Sequence, residues 1–242
     1  MSKERDKAIL ELLLKKKRVT VKELASALYV SEPSVRRDLA RLEAQNLIKR
    51  VHGGAMIEES ALAKNKIPFK VRELEESSAK IVIAKAAVKL VEDGNIIFLD
   101  SSTSAYNMIP FLEGKKNLTV ITNGVRALEK LAEYGINTLS TGGNLDAGCM
   151  SLVGEEAYKT IEAINADICF FSCRGLDVEG NLTDIFPAEN YVRARMIKNS
   201  RRAYLLCGGD KIGKKYFHNL CNARDLDGVI SDTEYLPDVR NT

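Results

Sequence analysis

Ser31-Glu32-Pro33-Ser34-Val35-Arg36-Arg37-Asp38-Leu39-Ala40-Arg41-Leu42 carries two patterns at once. Val35, Leu39 and Leu42 recur at helical spacing, so one side of a helix must face a core. Pro33 falls in the first turn, where a missing N–H costs little, and Ser31 stands where a cap is expected. At about 100° per residue the opposite face carries Ser34, Arg37 and Arg41, with Arg36 on its flank. A helix faced with hydroxyls and guanidinium groups suits the DNA major groove. The rigid arginine fork there can span the O6 and N7 acceptors of guanine.

The flanking sequence supplies the rest of such a module. Upstream, Ala8, Ile9, Leu12 and Leu13 make Glu4 to Lys16 an amphipathic helix, followed by the basic run Lys15-Lys16-Lys17-Arg18. Thr20 with Glu23 three residues on forms a capping box that opens a second helix, with Leu24, Ala25 and Leu28 as its buried stripe. Tyr29-Val30 makes the turn before Ser31. Downstream, Leu47-Ile48-Lys49-Arg50-Val51-His52-Gly53-Gly54-Ala55 alternates and ends in a glycine pair, as a hairpin wing does. Lys49, Arg50 and His52 on that wing are placed to touch phosphate or the adjoining minor groove. The expected DNA contacts are therefore Ser31, Ser34, Arg36, Arg37, Arg41, Lys49, Arg50 and His52. By periodicity alone, a three-helix cap with a solvated basic face stays open.

Charge is distributed in the same sense. Residues 1–57 carry 13 Lys and Arg against 7 Asp and Glu, while the remainder of this chain, net +3 overall, carries 23 against 26. A basic head on a mildly acidic body is the asymmetry of a polyanion-binding module joined to something else. Forty-five per cent hydrophobic residues in 242 support a core and exclude global disorder. No apolar run approaches the roughly 18 residues of a membrane helix, and the charged N-terminus is unlike a secretory signal. Five cysteines without a CxxC pair, and two histidines, argue against a disulfide framework or a zinc site. The expectation is a cytoplasmic protein with no metal, no cofactor and no membrane partner.

From Glu58 to Leu74 the chain is charged, contains Pro68, and reads as a connector between domains. From Lys80 onward helices and short apolar strands alternate. A helix bearing Ile81, Ile83, Ala84, Ala87, Val88 and Val91 leads into the strand Ile96–Leu99. Strands Leu118–Thr122, Asn137–Ser140, Ile168–Phe171, Ala203–Cys207 and Gly228–Ser231 follow, with helices expected at Ser104–Leu112, Val125–Tyr134, Glu155–Ile164 and Ala188–Lys198. This is the pattern of an α/β layered sheet, mostly parallel and buried on both faces.

Ligands of such sheets bind outside the carboxyl ends of the strands. Those ends read Asp100-Ser101-Ser102-Thr103-Ser104, Thr122-Asn123-Gly124 and Thr141-Gly142-Gly143-Asn144. Three turns of small residues, two of them opening helices, favour an anion such as phosphate. Asp184, Glu189 and Lys211 follow later strands. A lysine there can neutralise phosphate, and carboxylates can accept from sugar hydroxyls.

The segments Ser31 to Leu39 and Arg50 to Ala55, with Arg5, Ile9 and Leu13 ahead of them, strongly resemble the winged helix-turn-helix of the DeoR family of bacterial transcription regulators. Ser34 stands where that family usually has Thr. The body from Lys80 to Asp232 is similar to the family's sensor, whose fold is like that of ribose-5-phosphate isomerase and glucosamine-6-phosphate deaminase. The resemblance implies that Ser101 to Ser104, Asn123, Gly142 and Gly143 line a sugar-phosphate site. It also implies that Asp184, Glu189 and Lys211 reach the ligand. Ser102 replaces a common Gly, and Gly208 a common Asp.

These readings imply a winged helix-turn-helix over 1–57, a connector over 58–74 and an α/β effector sensor over 75–242. The implied function is a repressor of carbohydrate metabolism genes that binds a double-stranded operator as a homodimer or higher homo-oligomer. A phosphorylated sugar or related metabolite would be its effector, contacting Asp100, Ser101, Ser102, Thr103, Ser104, Asn123, Gly142, Gly143, Asp184, Glu189 and Lys211. The alternatives are a sugar-phosphate isomerase or deaminase with a DNA-binding arm, and an adaptor without ligand.

Overall fold

Where the reading helix was expected, the computed structural model places α3 (Glu32–Ala44), after α1 (Ser2–Lys16) and α2 (Val21–Leu28). The structure describes residues 2–45, 47–56, 69–74 and 77–234. They fall into two units, residues 1–75 and 76–242.

In the first unit the local signals carry through to the fold. Thr20 Oγ1 accepts from the Glu23 N–H at 3.2 Å, and Glu23 Oε2 accepts from the Thr20 N–H at 2.8 Å, which closes the capping box. Tyr29 ends α2 in the left-handed region (φ +53°). Ser31 caps α3 through its carbonyl, which accepts from the N–H groups of Ser34 and Val35. Its hydroxyl pairs instead with Ser34 Oγ at 3.0 Å, so the side-chain cap expected there is not formed. Strands β1 (Arg18–Thr20), β2 (Lys49–Val51) and β3 (Gly54–Met56) form an antiparallel sheet in the order β1-β3-β2. The basic run thus ends in a strand that its polar sequence did not announce. A side chain at Gly54 would meet Val19 O at 2.2 Å, so only glycine lets β3 approach β1.

Ile9, Leu10, Leu13, Leu24, Val35, Leu39 and Leu42 pack this core together with Val71. Val71 lies on a short helix, Phe69–Leu74, and is fully buried. The connector expected over 58–74 is therefore corrected at its end, because burial of an apolar side chain ties those six residues to the first unit. Residues 58–68 of that expectation lie outside the described residues.

The second unit is built on six parallel strands: β4 (Ile96–Leu99), β5 (Thr119–Thr122), β6 (Asn137–Ser140), β9 (Ala166–Phe171), β12 (Ser200–Cys207) and β14 (Gly228–Ser231). Their order is β14-β12-β9-β4-β5-β6. Alternate residues enter opposite cores. Ile97, Leu99, Ile168 and Phe170 face one cluster, and Phe98, Cys169 and Phe171 the other. That is why these strands read as continuous apolar runs.

Three expectations fail here. Ile81 remains 40 % exposed rather than entering the core. The helix expected over Ser104–Leu112 is one turn, Thr103–Tyr106, then a short tighter turn Ile109–Phe111 around Pro110, which has no N–H to continue a helix. The polar segments also form more sheet than expected. One hairpin pairs β7 (Asn144–Asp146) with β8 (Ser151–Val153), and an antiparallel sheet joins β10 (Gly175–Leu176), β11 (Asn181–Asp184) and β13 (His218–Asn222).

Candidate functional site

On the first unit, α3 turns Ser31, Arg36 and Arg37 outward, and the wing exposes Lys49, Arg50 and His52. Arg37 lies along its own helix, Nη2 3.4 Å from Ser34 Oγ. Arg36 and Arg50 make loose pairs with Glu32 and Glu43 at 3.3 and 3.7 Å. Such exposed pairs are weak and leave a cation available to phosphate.

Arg41 departs from the expectation. Its Nη2 is 2.6 Å from Asp6 Oδ1 and 2.8 Å from Asp38 Oδ1, its side chain is only 38 % exposed, and Nε is buried without a hydrogen-bond partner. Arg5 grips the same Asp38 carboxylate at 2.5 and 3.1 Å. Burial alone would raise the Asp38 carboxyl, but the hydrogen bonds from Arg5 and Arg41 hold it below its ordinary range. Arg41 therefore fastens α3 to α1 through Asp6. The signal missed in the sequence is Asp38 itself, a carboxylate on the inward face of α3 that needs cations around it.

In the second unit the three hydroxyl- and glycine-bearing turns follow neighbouring strands β4, β5 and β6, on one edge of the sheet. Asp100, Ser101, Ser102, Thr103, Ser104 and Asn123 are all buried there. The Asn123 amide nitrogen donates to Leu152 O at 3.2 Å, while its Oδ1 is buried without a partner. Gly142 and Gly143 both have positive φ. A side chain on Gly143 would also meet Val153 O at 2.6 Å, so this glycine serves the close approach of two backbones.

Arg193 organises the floor of this edge, and the sequence reading did not single it out. From the helix Pro187–Lys198 its Nε reaches Asp100 Oδ2 at 2.9 Å, Nη1 reaches Asp184 Oδ2 at 2.7 Å, and Nη2 lies 3.7 Å from Glu189 Oε2. Burial works against the charge on the guanidinium, but the three carboxylates more than restore it and shift its pKa upward. Glu189 further accepts from Ser101 Oγ at 2.7 Å and from Ser151 Oγ. Asp100 accepts from the backbone N–H groups of Ser102 and Ser172. Asp184 and Glu189, expected to reach the ligand, thus have their charge met by partners within the protein. The available clue was the spacing Glu189 to Arg193, i and i+4 on one helix face.

Lys211, after β12, is different. Its Nζ donates to Ser172 Oγ at 2.7 Å, and that hydroxyl donates to Leu206 O at 2.6 Å. No carboxylate pairs with Lys211 among the described residues, and it is only half-buried. Nearby, the Cys173 thiol donates to Gly175 O at 3.3 Å and the Cys207 thiol to Gly208 O at 3.6 Å. Interaction with Cys173 and the Lys211 charge hold Cys207 below its ordinary pKa, whereas interaction with Cys207 and burial push Cys173 up. The two departures from the family pattern also have structural counterparts. Ser102 Oγ accepts from the Ala105 N–H and caps the single turn Thr103–Tyr106. Asp210 Oδ1 lies 2.5 Å from where a side chain on Gly208 would begin, so a neighbouring carboxylate fills that space.

Comparison with known proteins bears on both units. Residues 5–61 match the DeoR-like helix-turn-helix domain, and residues 75–233 match the DeoR C terminal sensor domain. The chain is 34% identical over 233 residues to the HTH-type transcriptional regulator GolR of Listeria innocua, covering 96% of this chain and 91% of GolR. It is 32% identical to YulB of Bacillus subtilis over 97% of this chain and 90% of that one. Identity to the lactose phosphotransferase system repressor of Staphylococcus aureus is 30%, over 96% and 92% of the two chains. Among solved structures, eIF2B delta from Chaetomium thermophilum shares the fold at TM-score 0.50 and 18% identity, over 66% of this chain and 57% of that one. Ribose 5-phosphate isomerase A from Methanocaldococcus jannaschii aligns at TM-score 0.43 and 20% identity, over 57% and 55%. The chain spans a little over half the length of these solved chains. No described helix is long and apolar enough to cross a membrane. With both of its units matched, the chain belongs to the DeoR family of DNA-binding transcription regulators.

Proposed function

We propose that the protein represses carbohydrate-metabolism genes by gripping a double-stranded operator, and that a phosphorylated sugar bound to its second unit loosens that grip. On the DNA side the groups are Ser31, Ser34, Arg36 and Arg37 of α3, with Lys49, Arg50 and His52 of the wing. Arg41 holds α3 in place. A homodimer or higher homo-oligomer would bring two such readers onto adjacent half-sites.

The observation that carries the effector reading is Lys211. It is a half-buried cation with no carboxylate partner among the described residues, held by Ser172, which follows β9 beside β4 at the same carboxyl end of the parallel sheet as the Ser101–Ser104, Asn123 and Gly142–Gly143 turns. A phosphate there would meet the charge of Lys211 and the N–H groups of small-residue turns. The effector must bind the DNA-incompetent arrangement more tightly, and a differential of about 1–3 kcal/mol would change operator affinity roughly 5- to 150-fold.

The lock on Asp100, Asp184 and Glu189 speaks against the enzymatic alternative. A carboxylate that moves a proton needs a free face toward substrate, and these are held by Arg193 and by neighbouring hydroxyls and N–H groups.

The test is a panel of pentose, hexose and amino-hexose phosphates, read by thermal shift and by release from operator DNA. At a hundredfold excess over its dissociation constant the effector should stabilise by about 2.7 kcal/mol. Lys211→Ala should still bind DNA and no longer release it. A normal release by this variant would remove Lys211 from the site, and turnover of any probe would reinstate the enzyme.

A further inference from the structure

The buried ion cluster also determines the chemistry of His218, the first residue of β13. A guanidinium only donates, so Arg193 Nη1, 3.2 Å from Asn190 Oδ1, identifies that atom as the carbonyl oxygen of the amide. The other amide atom, Nδ2, is then donor only. It faces His218 O at 3.2 Å and His218 Nδ1 at 3.0 Å. Nδ1 must therefore accept, and the ring proton resides on Nε2. The run of contacts from Asp100 and Asp184 through Arg193 and Asn190 thus fixes the tautomer of a residue on another strand.

The fixed Nε2–H has no protein partner among the described residues, and His218 is half-buried. Two aromatic rings flank it. Tyr191, 50 % exposed, meets it edge-on with ring centres 5.5 Å apart, and Phe217, 83 % exposed, lies at 6.4 Å. In the β11–β13 register His218 stands opposite Asp184. Asp184 shares Arg193 with Asp100. Asp100 is bound by the N–H of Ser172, whose hydroxyl receives Lys211. The free donor and the free cation are therefore joined through one buried network.

A single oriented N–H beside exposed rings is a weaker hold on phosphate than the Lys211 ammonium. It suits a hydroxyl acceptor on a carbon skeleton whose C–H face can lie against an aromatic ring. We infer that His218, flanked by Tyr191 and Phe217, recognises the hydroxylated sugar part of the effector and determines which phosphorylated sugar is accepted. This inference rests on the phosphate reading of Lys211 given above.

The experiment titrates the full-length protein with inorganic phosphate and with ribose 5-phosphate, fructose 6-phosphate and glucosamine 6-phosphate, following binding by calorimetry. Wild type should prefer at least one sugar phosphate to inorganic phosphate by tenfold or more. His218→Ala should lose most of that preference with inorganic phosphate affinity unchanged. His218→Gln, whose amide nitrogen can stand near the Nε2 position, should retain part of it. Both variants keep the Asn190 bond to the backbone carbonyl of residue 218, and their melting without ligand should match wild type. Lys211→Ala should weaken every probe together. A preference that survives His218→Ala, or an equal loss for inorganic phosphate, overturns the inference. So does a wild type without preference, although the phosphate site then stands. If no probe binds wild type, the phosphate reading falls and takes the inference with it.

Discussion

Arg193 Nη1 lies 2.7 Å from Asp184 Oδ2, with both side chains almost entirely removed from solvent. The pair joins the helix Pro187–Lys198 to the end of β11, and through the same guanidinium to Asp100 at the end of β4. A charge so deeply placed persists only when each partner answers the others, and removing one member leaves the rest uncompensated.

Arg193→Met should accordingly destabilise the second unit by about 3–5 kcal/mol, because three buried carboxylates lose their cation. Urea unfolding at neutral pH measures it. Arg193→Lys should recover little, since one ammonium cannot span Asp100 and Asp184 as the planar fork does. A loss under 1 kcal/mol would show that water already screens the cluster.

Arg37 and Arg41 should separate cleanly. Arg37→Ala should weaken operator binding and leave the melting of the first unit unchanged, because Arg37 is exposed and holds only its own helix. Arg41→Ala should cost about 1–3 kcal/mol of stability, since Asp6 and part of Asp38 would lose a donor while buried. Gel shift and thermal unfolding on both variants decide the assignment.

Gly143→Ala should destabilise the edge of the sheet by about 1–3 kcal/mol from its backbone conformation alone, φ +109°, and by more from the clash with Val153 O. Hydrogen exchange should show the loss in β8, whose carbonyl is displaced. Gly142→Ala has no such neighbour and should be milder.

Asp177 gives a pH signature. Burial opposes its ionisation, but the N–H groups of Asn181 and Glu179, the Asn181 side chain and Lys215 outweigh it and hold the carboxyl at about 2, below the ordinary 3.8. A depressed folded pKa contributes stability that is complete above the unfolded value and fades as pH falls from about 4 toward 2. Asp177→Ala should therefore cost about 1–3 kcal/mol at pH 7, and the gap to wild type should narrow by pH 3. Urea midpoints at the two pH values test it, and a constant gap would assign the cost to packing.

Periodicity alone placed α2, α3 and all six strands of the parallel sheet, and the residue pattern carried the family. Helical spacing put Val35, Leu39 and Leu42 inward, the Thr20–Glu23 box opened α2, and apolar runs such as Ile96–Leu99 marked strands buried on both faces. Those signals are local, because each depends on residues within a few positions of one another. The allocation of charge is not local. Arg41 and Arg37 look alike along α3, and only Asp6, 35 residues away on α1, turns one of them into a fastener. Asp184 and Glu189 look like free acceptors until Arg193 meets them beside Asp100, 93 positions earlier in the chain. Which polar groups remain available to a ligand depends on partners that the chain brings together only by folding, so the sequence determined the elements and their faces, and the tertiary structure decided which charges were left free.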